Sequence, residues 1–163
     1  MDKPKWNDYF MGFAFLASSR SHDAQTKVGC VLVSDKKIIS VGYNGFCSGV
    51  EDGSLPNKRP YKYPYMVHAE ANAISNMVIR PSSAVAYITH TPCRGCAKLL
   101  WQNNIRKWYI PEDSTVRSYS VEDRIVYNHL IDNGLEIKKI SPDLSYLKNI
   151  INKKNKDEQG MLF

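Results

Sequence analysis

Apolar side chains at Trp6, Tyr9, Phe10, Phe13, Leu16 and Ala17 recur at helical intervals, so Lys5 to Ser19 is predicted as an amphipathic helix. Two β-branched runs follow, VGCVLVS and IISVGY, and the polar DKK between them predicts a hairpin. From Asn44 to Met66 the patterning stops. Gly45, Gly49, Gly53, Pro56, Pro60 and Pro64 punctuate this stretch too heavily for regular structure, and a loop of that length in a compact domain usually has a function. Periodicity then resumes with a helix from about His68 to Met77, a strand AVAYITH, a helix from about Cys93 to Gln102 and a short strand KWYI. In VEDRIVYNHLIDN the residues Val121, Ile125, Val126, Leu130 and Ile131 form one predicted face, with Gly134 placed to cap the helix and LEIKKI as a last strand. Pro142 opens a further short helix through about Ile150. Strands alternating with helices after the hairpin predict an α/β fold, a sheet sandwiched between helical layers.

Composition limits the possibilities. With 163 residues, 43% of them hydrophobic, the chain holds one domain with a sizeable core. That domain is expected over 1–151, and the charged NKKNKDEQG stretch makes 152–163 a polar C-terminal tail. No apolar run approaches the roughly twenty residues of a membrane span, and MDKPKWNDYF has no signal-peptide core, so a cytoplasmic protein without a membrane partner is expected. The formal charge of +6 favours an anionic partner. Of the four cysteines, Cys93 and Cys96 stand in C-x-x-C spacing after Pro92, which favours metal or redox chemistry over disulfides.

A catalytic zinc site takes three nitrogen or thiolate ligands and leaves a fourth position for water. His68, Cys93 and Cys96 supply that count, each at a predicted helix start, where free backbone N–H groups stabilise anionic sulfur. Glu70, two residues after His68, is then a proton shuttle rather than a ligand. A redox pair or a structural zinc knuckle is the plainer reading of C-x-x-C; a structural site needs a fourth ligand, and neither reading uses Glu70. Cys30 is expected to be a small buried strand residue and Cys47 lacks histidine partners for a second metal. His22, His90 and His129 stay outside the predicted site.

H-x-E…P-C-x-x-C is the signature of zinc-dependent nucleobase deaminases. With GYNGF, HAEANAI, TPCRGCAKLL and SHDAQTKVGCVLV, the chain from about Lys5 to Ile140 resembles the deoxycytidylate (dCMP) deaminase family of the cytidine deaminase superfamily. The resemblance implies a three-layer αβα sandwich around a central mixed five-stranded sheet. It implies Zn²⁺ held by His68, Cys93 and Cys96. Glu70 would protonate N3 of cytosine, activate the water that attacks C4 and protonate the departing ammonia. Asn44 would bond the deoxyribose, the Ala69 N–H would donate to the pyrimidine O2, and Lys27 and then Arg94 are the candidates for the substrate phosphate. A homo-oligomer, often a hexamer, with dCTP and dTTP as effectors is also implied.

The function expected is hydrolytic deamination of dCMP to dUMP, which supplies thymidylate synthesis. Three alternatives stand beside it. NKRPYKYPY interleaves Lys58, Arg59 and Lys62 with Tyr61, Tyr63 and Tyr65, a combination suited to single-stranded DNA or tRNA, although the same loop could bind an effector or a neighbouring subunit. Another free cytosine nucleotide such as dCTP could be the substrate. A non-catalytic zinc scaffold would have no use for Glu70. At the C-terminus, Gln159 ahead of Met161, Leu162 and Phe163 resembles peptides that dock on bacterial-type sliding clamps, with fold-back of the apolar tip as the plainer reading.

Overall fold

The computed structural model describes residues 3–114 and 120–149. The expected clamp-docking tip, the tail as a whole and Ile150, the expected end of the last helix, lie outside the described residues. Element order is α1 (Trp6–Ser18), β1 (Gly29–Ser34), β2 (Lys37–Tyr43), α2 (Ala69–Ser75), β3 (Ala84–Ile88), α3 (Arg94–Gln102), β4 (Ile105–Pro111), α4 (Val121–Asp132) and β5 (Glu136–Ile140). A further helical stretch runs over 145–149.

The five strands form one mixed sheet in the order β2-β1-β3-β4-β5. β1 is antiparallel to both β2 and β3, while β3, β4 and β5 run parallel. The hairpin turn is Asp35-Lys36, with φ of 48° and 59°. Two consecutive positive φ values give the primed turn whose twist matches the strands, here without the Asn-Gly pair that usually provides it.

Alternation along the strands divides the interior into two cores. Cys30 and Leu32 of β1, Ala86 and Ile88 of β3, and Trp108 and Ile110 of β4 face α2, α3 and α4. Val31, Val33 and Tyr87 point to the other face, where Phe10, Met11 and Ala14 of α1 cover them. This is the three-layer arrangement, with α1 alone among the named helices on its side. Cys30 is a fully buried core residue, as its strand position implied.

The face predicted for α4 is corrected. Tyr127 and Leu130 are its buried residues and Val126 packs partly beside them, whereas Val121 and Ile125 are about 60% exposed and Ile131 is exposed as well. Tyr127 sets this rotation: its hydroxyl donates to the Pro92 carbonyl at 2.7 Å, and its ring packs edge-on against Trp108. The turn after α4 closes as expected, with Gly134 at φ +104° and Leu135 N–H donating to the Leu130 carbonyl at 2.9 Å.

Gly42 decides how close α2 lies to the sheet. A Cβ there would overlap the Ala69 carbonyl and the Ala73 N–H, both backbone groups of α2 that have no room to yield. Gly42→Ala is expected to push α2 outward, costing about 1–3 kcal/mol of stability and zinc retention together; urea unfolding and metal analysis of the same preparation check this.

Candidate functional site

Two helix starts meet at one end of the sheet. His68 is the N-cap of α2, fixed by the bridge between Gly45 and Val67 immediately before it. Asn72 and Ser40 add side-chain bonds that tie α2 to β2, to the Tyr43 carbonyl at 2.6 Å and from Ser40 Oγ to the Ala73 carbonyl at 2.5 Å. Cys93 is the N-cap of α3, and its Sγ accepts from the Cys96 N–H at 3.5 Å. The preceding Pro92 is fully buried and is held through its carbonyl by Tyr127.

His68 Nδ1 lies 3.5 Å from both Cys93 Sγ and Cys96 Sγ, and the three donor atoms all fall within 4.8 Å of one another. A tetrahedral zinc with ordinary Zn–S and Zn–N bond lengths spans an N···S edge of about 3.6 Å, so the spacing fits the ion. Electrostatics agree. The Cys93 thiol is lowered to about 3, chiefly by the Cys96 S–H it accepts and then by His68, against the opposing effect of burial. Cys96 is pushed far up by its bond to Cys93, by burial and by Glu70. Both thiols can ionise together only when a cation shares their negative charge. Among the described residues no other group of three His, Cys, Asp or Glu side chains has metal-binding spacing, and Cys47 is exposed and apart from this one.

Glu70 is 4% exposed, beside the donor set and not part of it. Burial raises its carboxyl above the ordinary 4.5, with opposing contributions from its own backbone and from His68. These groups open onto a cleft of about 490 Å³, a size suited to a small-molecule ligand. Ala69, the first residue of α2, lines it, where a backbone N–H has no intrahelical carbonyl to bond.

The remaining expected residues divide. Asn44 is 7% exposed and lines the cleft; its Oδ1 accepts from Val28 N–H at 2.7 Å, and its Nδ2 donates to the Thr26 carbonyl at 2.9 Å and to Asp23 Oδ2 at 3.2 Å. Arg94 lines the cleft with its guanidinium 3.3 Å from Ser120 Oγ and 3.5 Å from Asp123 Oδ1. Lys27 is exposed and is not on the cleft wall, where its neighbours Thr26 and Val28 lie instead. Lys98, on the same face of α3 as Arg94 at i+4, was missed, though helical spacing could have found it.

Also missed was an ion pair. Lys62 Nζ lies 2.6 and 2.5 Å from the two carboxylate oxygens of Asp23, both residues are 3% exposed, and both line the cleft. This corrects the reading of NKRPYKYPY as a cationic strip: Tyr61, Tyr63 and Tyr65 are exposed, but Lys62 turns inward and is neutralised. His22 bonds Asp52 at 3.1 Å and packs on Phe46, outside the cleft wall, while His90 is part of that wall. His129 is exposed on α4.

A three-donor metal site and a buried carboxylate, sharing one cleft of an αβα sandwich, are the parts of a metal-dependent hydrolytic enzyme. Comparison with known proteins narrows this class. The family model described as the cytidine and deoxycytidylate deaminase zinc-binding region matches residues 4–112, and the chain belongs to that family. Human deoxycytidylate deaminase is 36% identical over 154 residues, covering 88% of this chain and 84% of the relative. Among solved structures, the cyanophage S-TIM5 dCMP deaminase in complex with dCMP and dUMP matches with a TM-score of 0.61 and 27% identity, over 86% of this chain and all of that one. RibD of Acinetobacter baumannii shares the fold, at a TM-score of 0.57 and 21% identity over 82% of this chain and 35% of its own.

Burial would raise the Asp23 carboxyl, but Lys62 and the N–H groups of Gln25 and Thr26 outweigh it and hold the group below 3.8. The stabilisation is therefore complete above the unfolded value and disappears as pH falls through the lower native one. Asp23→Asn is expected to lose about 3 kcal/mol or more at neutral pH, with the gap to the wild type closing below pH 3.8; paired urea titrations along a pH series measure it.

Proposed function

We propose that this chain deaminates dCMP hydrolytically, giving dUMP and ammonia and so supplying substrate for thymidylate synthesis. The observation that carries the reading is the buried Glu70 carboxyl set beside a His-Cys-Cys donor group in a cleft of small-molecule size. Likeness to relatives named for dCMP supports the choice of substrate.

His68, Cys93 and Cys96 would hold zinc, which would supply the Lewis acidity that brings water deprotonation into the neutral range. Glu70 takes one proton from the attacking water and places it on N3 of the cytosine. As oxygen bonds to C4, Glu70 passes the second proton to the exocyclic amine, the C4–N bond breaks, and ammonia leaves as the C4 carbonyl forms. Its raised proton affinity suits a group that must hold each proton between transfers. The Ala69 N–H, at a helix start that leaves it without an intrahelical carbonyl, would hold the pyrimidine O2. Arg94 and Lys98, one turn apart on α3, are the cations on the cleft wall whose charge can meet a phosphate, since Asp23 neutralises the Lys62 charge within the buried wall.

No helix among the described residues is long and apolar enough to cross a membrane, and a cytoplasmic enzyme accords with this reading. The exposed Val121 and Ile125 on α4 support assembly into a homo-oligomer. Adding dCTP and dTTP to the assay tests for the effectors expected with it.

Glu70→Ala is expected to keep one zinc per chain and lose activity by about two to four orders of magnitude, while Cys93→Ala loses the metal and stability with it. Metal analysis beside steady-state rates separates them; equal zinc loss in both would overturn the division of roles. Ammonia release from dCMP, CMP, dCTP, deoxycytidine and single-stranded oligonucleotides is expected to be fastest with dCMP, and oligonucleotides outcompeting it would displace this reading.

A further inference from the structure

The wall of the cleft that carries Asn44 holds one polar arrangement that deamination itself does not use. Residues 58–61 and 63–65 are exposed, Tyr63 reaching the cleft wall, and Lys62 alone in this stretch is buried. Its ammonium has three N–H donors. Two go to Asp23, and the third meets no acceptor among the described residues. Asn44 is held by the same Asp23 Oδ2 that Lys62 bonds. Both N–H groups of its amide are spent on Asp23 and on the Thr26 carbonyl, so it has no donor left for a ligand. Its Oδ1 accepts one bond, from Val28 N–H, and keeps a second lone pair. The wall therefore offers one unspent donor on Lys62 and one unspent acceptor on Asn44, side by side on a shared carboxylate.

A donor next to an acceptor complements a group that both accepts and donates. Phosphate brings acceptors but no proton for Asn44 at neutral pH, and Asp23 already neutralises the Lys62 charge. A hydroxyl satisfies both. Taking the site as a deoxynucleotide deaminase, on which this step rests, the substrate has a single hydroxyl, at C3′ of the sugar. We propose that Lys62 is a substrate-binding residue: with Asn44 it reads the 3′-hydroxyl, the lysine donating to its oxygen and the asparagine accepting its proton. Asp23 is the positioning residue that holds both. The loop from 45 to 66 thereby contributes a specificity contact through Lys62, the one buried residue of the stretch 58–65.

The test compares kcat/KM for dCMP and for 2′,3′-dideoxycytidine 5′-monophosphate. In the wild type, loss of the hydroxyl leaves a buried donor and acceptor unpaired and is expected to cost about 10-fold or more. In Lys62→Met, and in Asp23→Asn/Lys62→Met, which leaves no lone buried charge, the two substrates should be used within about 3-fold of each other, with zinc content unchanged. Equal use of both substrates by the wild type overturns the proposal, as does a wild-type ratio persisting in a folded variant; if neither variant folds, the wild-type comparison decides. Should the wild type not act on dCMP at all, the deoxycytidylate reading fails separately, and the same comparison is made on the cytosine compound it does deaminate, with and without its 3′-hydroxyl.

Discussion

Negative charge crowded into a buried corner is the constraint on which this structure turns. Cys93, Cys96 and Glu70 converge on His68, and in a medium of low polarity such a group is tolerable only beside positive charge. The fold meets that demand in two ways. It points the N-termini of α2 and α3 at the cluster, and it spaces the donors for a divalent cation. Gly42 brings α2 against β2, and the Tyr127 bond to Pro92 sets the start of α3 against α4. Each fixes one half of the donor set, so packing within the helical layer governs the metal geometry.

The second core, under α1, is a different kind of support. Phe10, Met11 and Ala14 close the opposite face of the sheet over Val31, Val33 and Tyr87 without touching the cleft. α1 therefore stiffens the central strands while leaving the other face free for the chemistry.

Much of the site was legible because its logic is local. H-x-E and P-C-x-x-C place their residues by spacing along single helix starts, and the structure puts His68 and Cys93 at N-caps one position before the helices proper. The sheet was legible for the same reason, from alternation within each run. What escaped depends on distant pairs. Nothing in NKRPYKYPY marks Lys62 as the residue that turns inward; its partner Asp23 lies 39 positions away, and only the folded loop joins them. Lys27 stands off the cleft wall while its neighbours Thr26 and Val28 line it, an alternation that the sequence of this loop does not mark. On α4, Val121 and Ile125 have the same periodicity as a core face, and the choice against them came from Tyr127, whose hydroxyl needed a carbonyl that only α3's approach could offer.

The donors come from either side of β3. His68 precedes that strand and the two cysteines follow it, and β3 sits in the middle of the sheet, paired with β1 on one side and β4 on the other. No short peptide from this chain can therefore present all three ligands in register. The full coordination set exists only once Cys96 is present and the segments flanking β3 have come together, so metal binding is coupled to a non-local part of the fold.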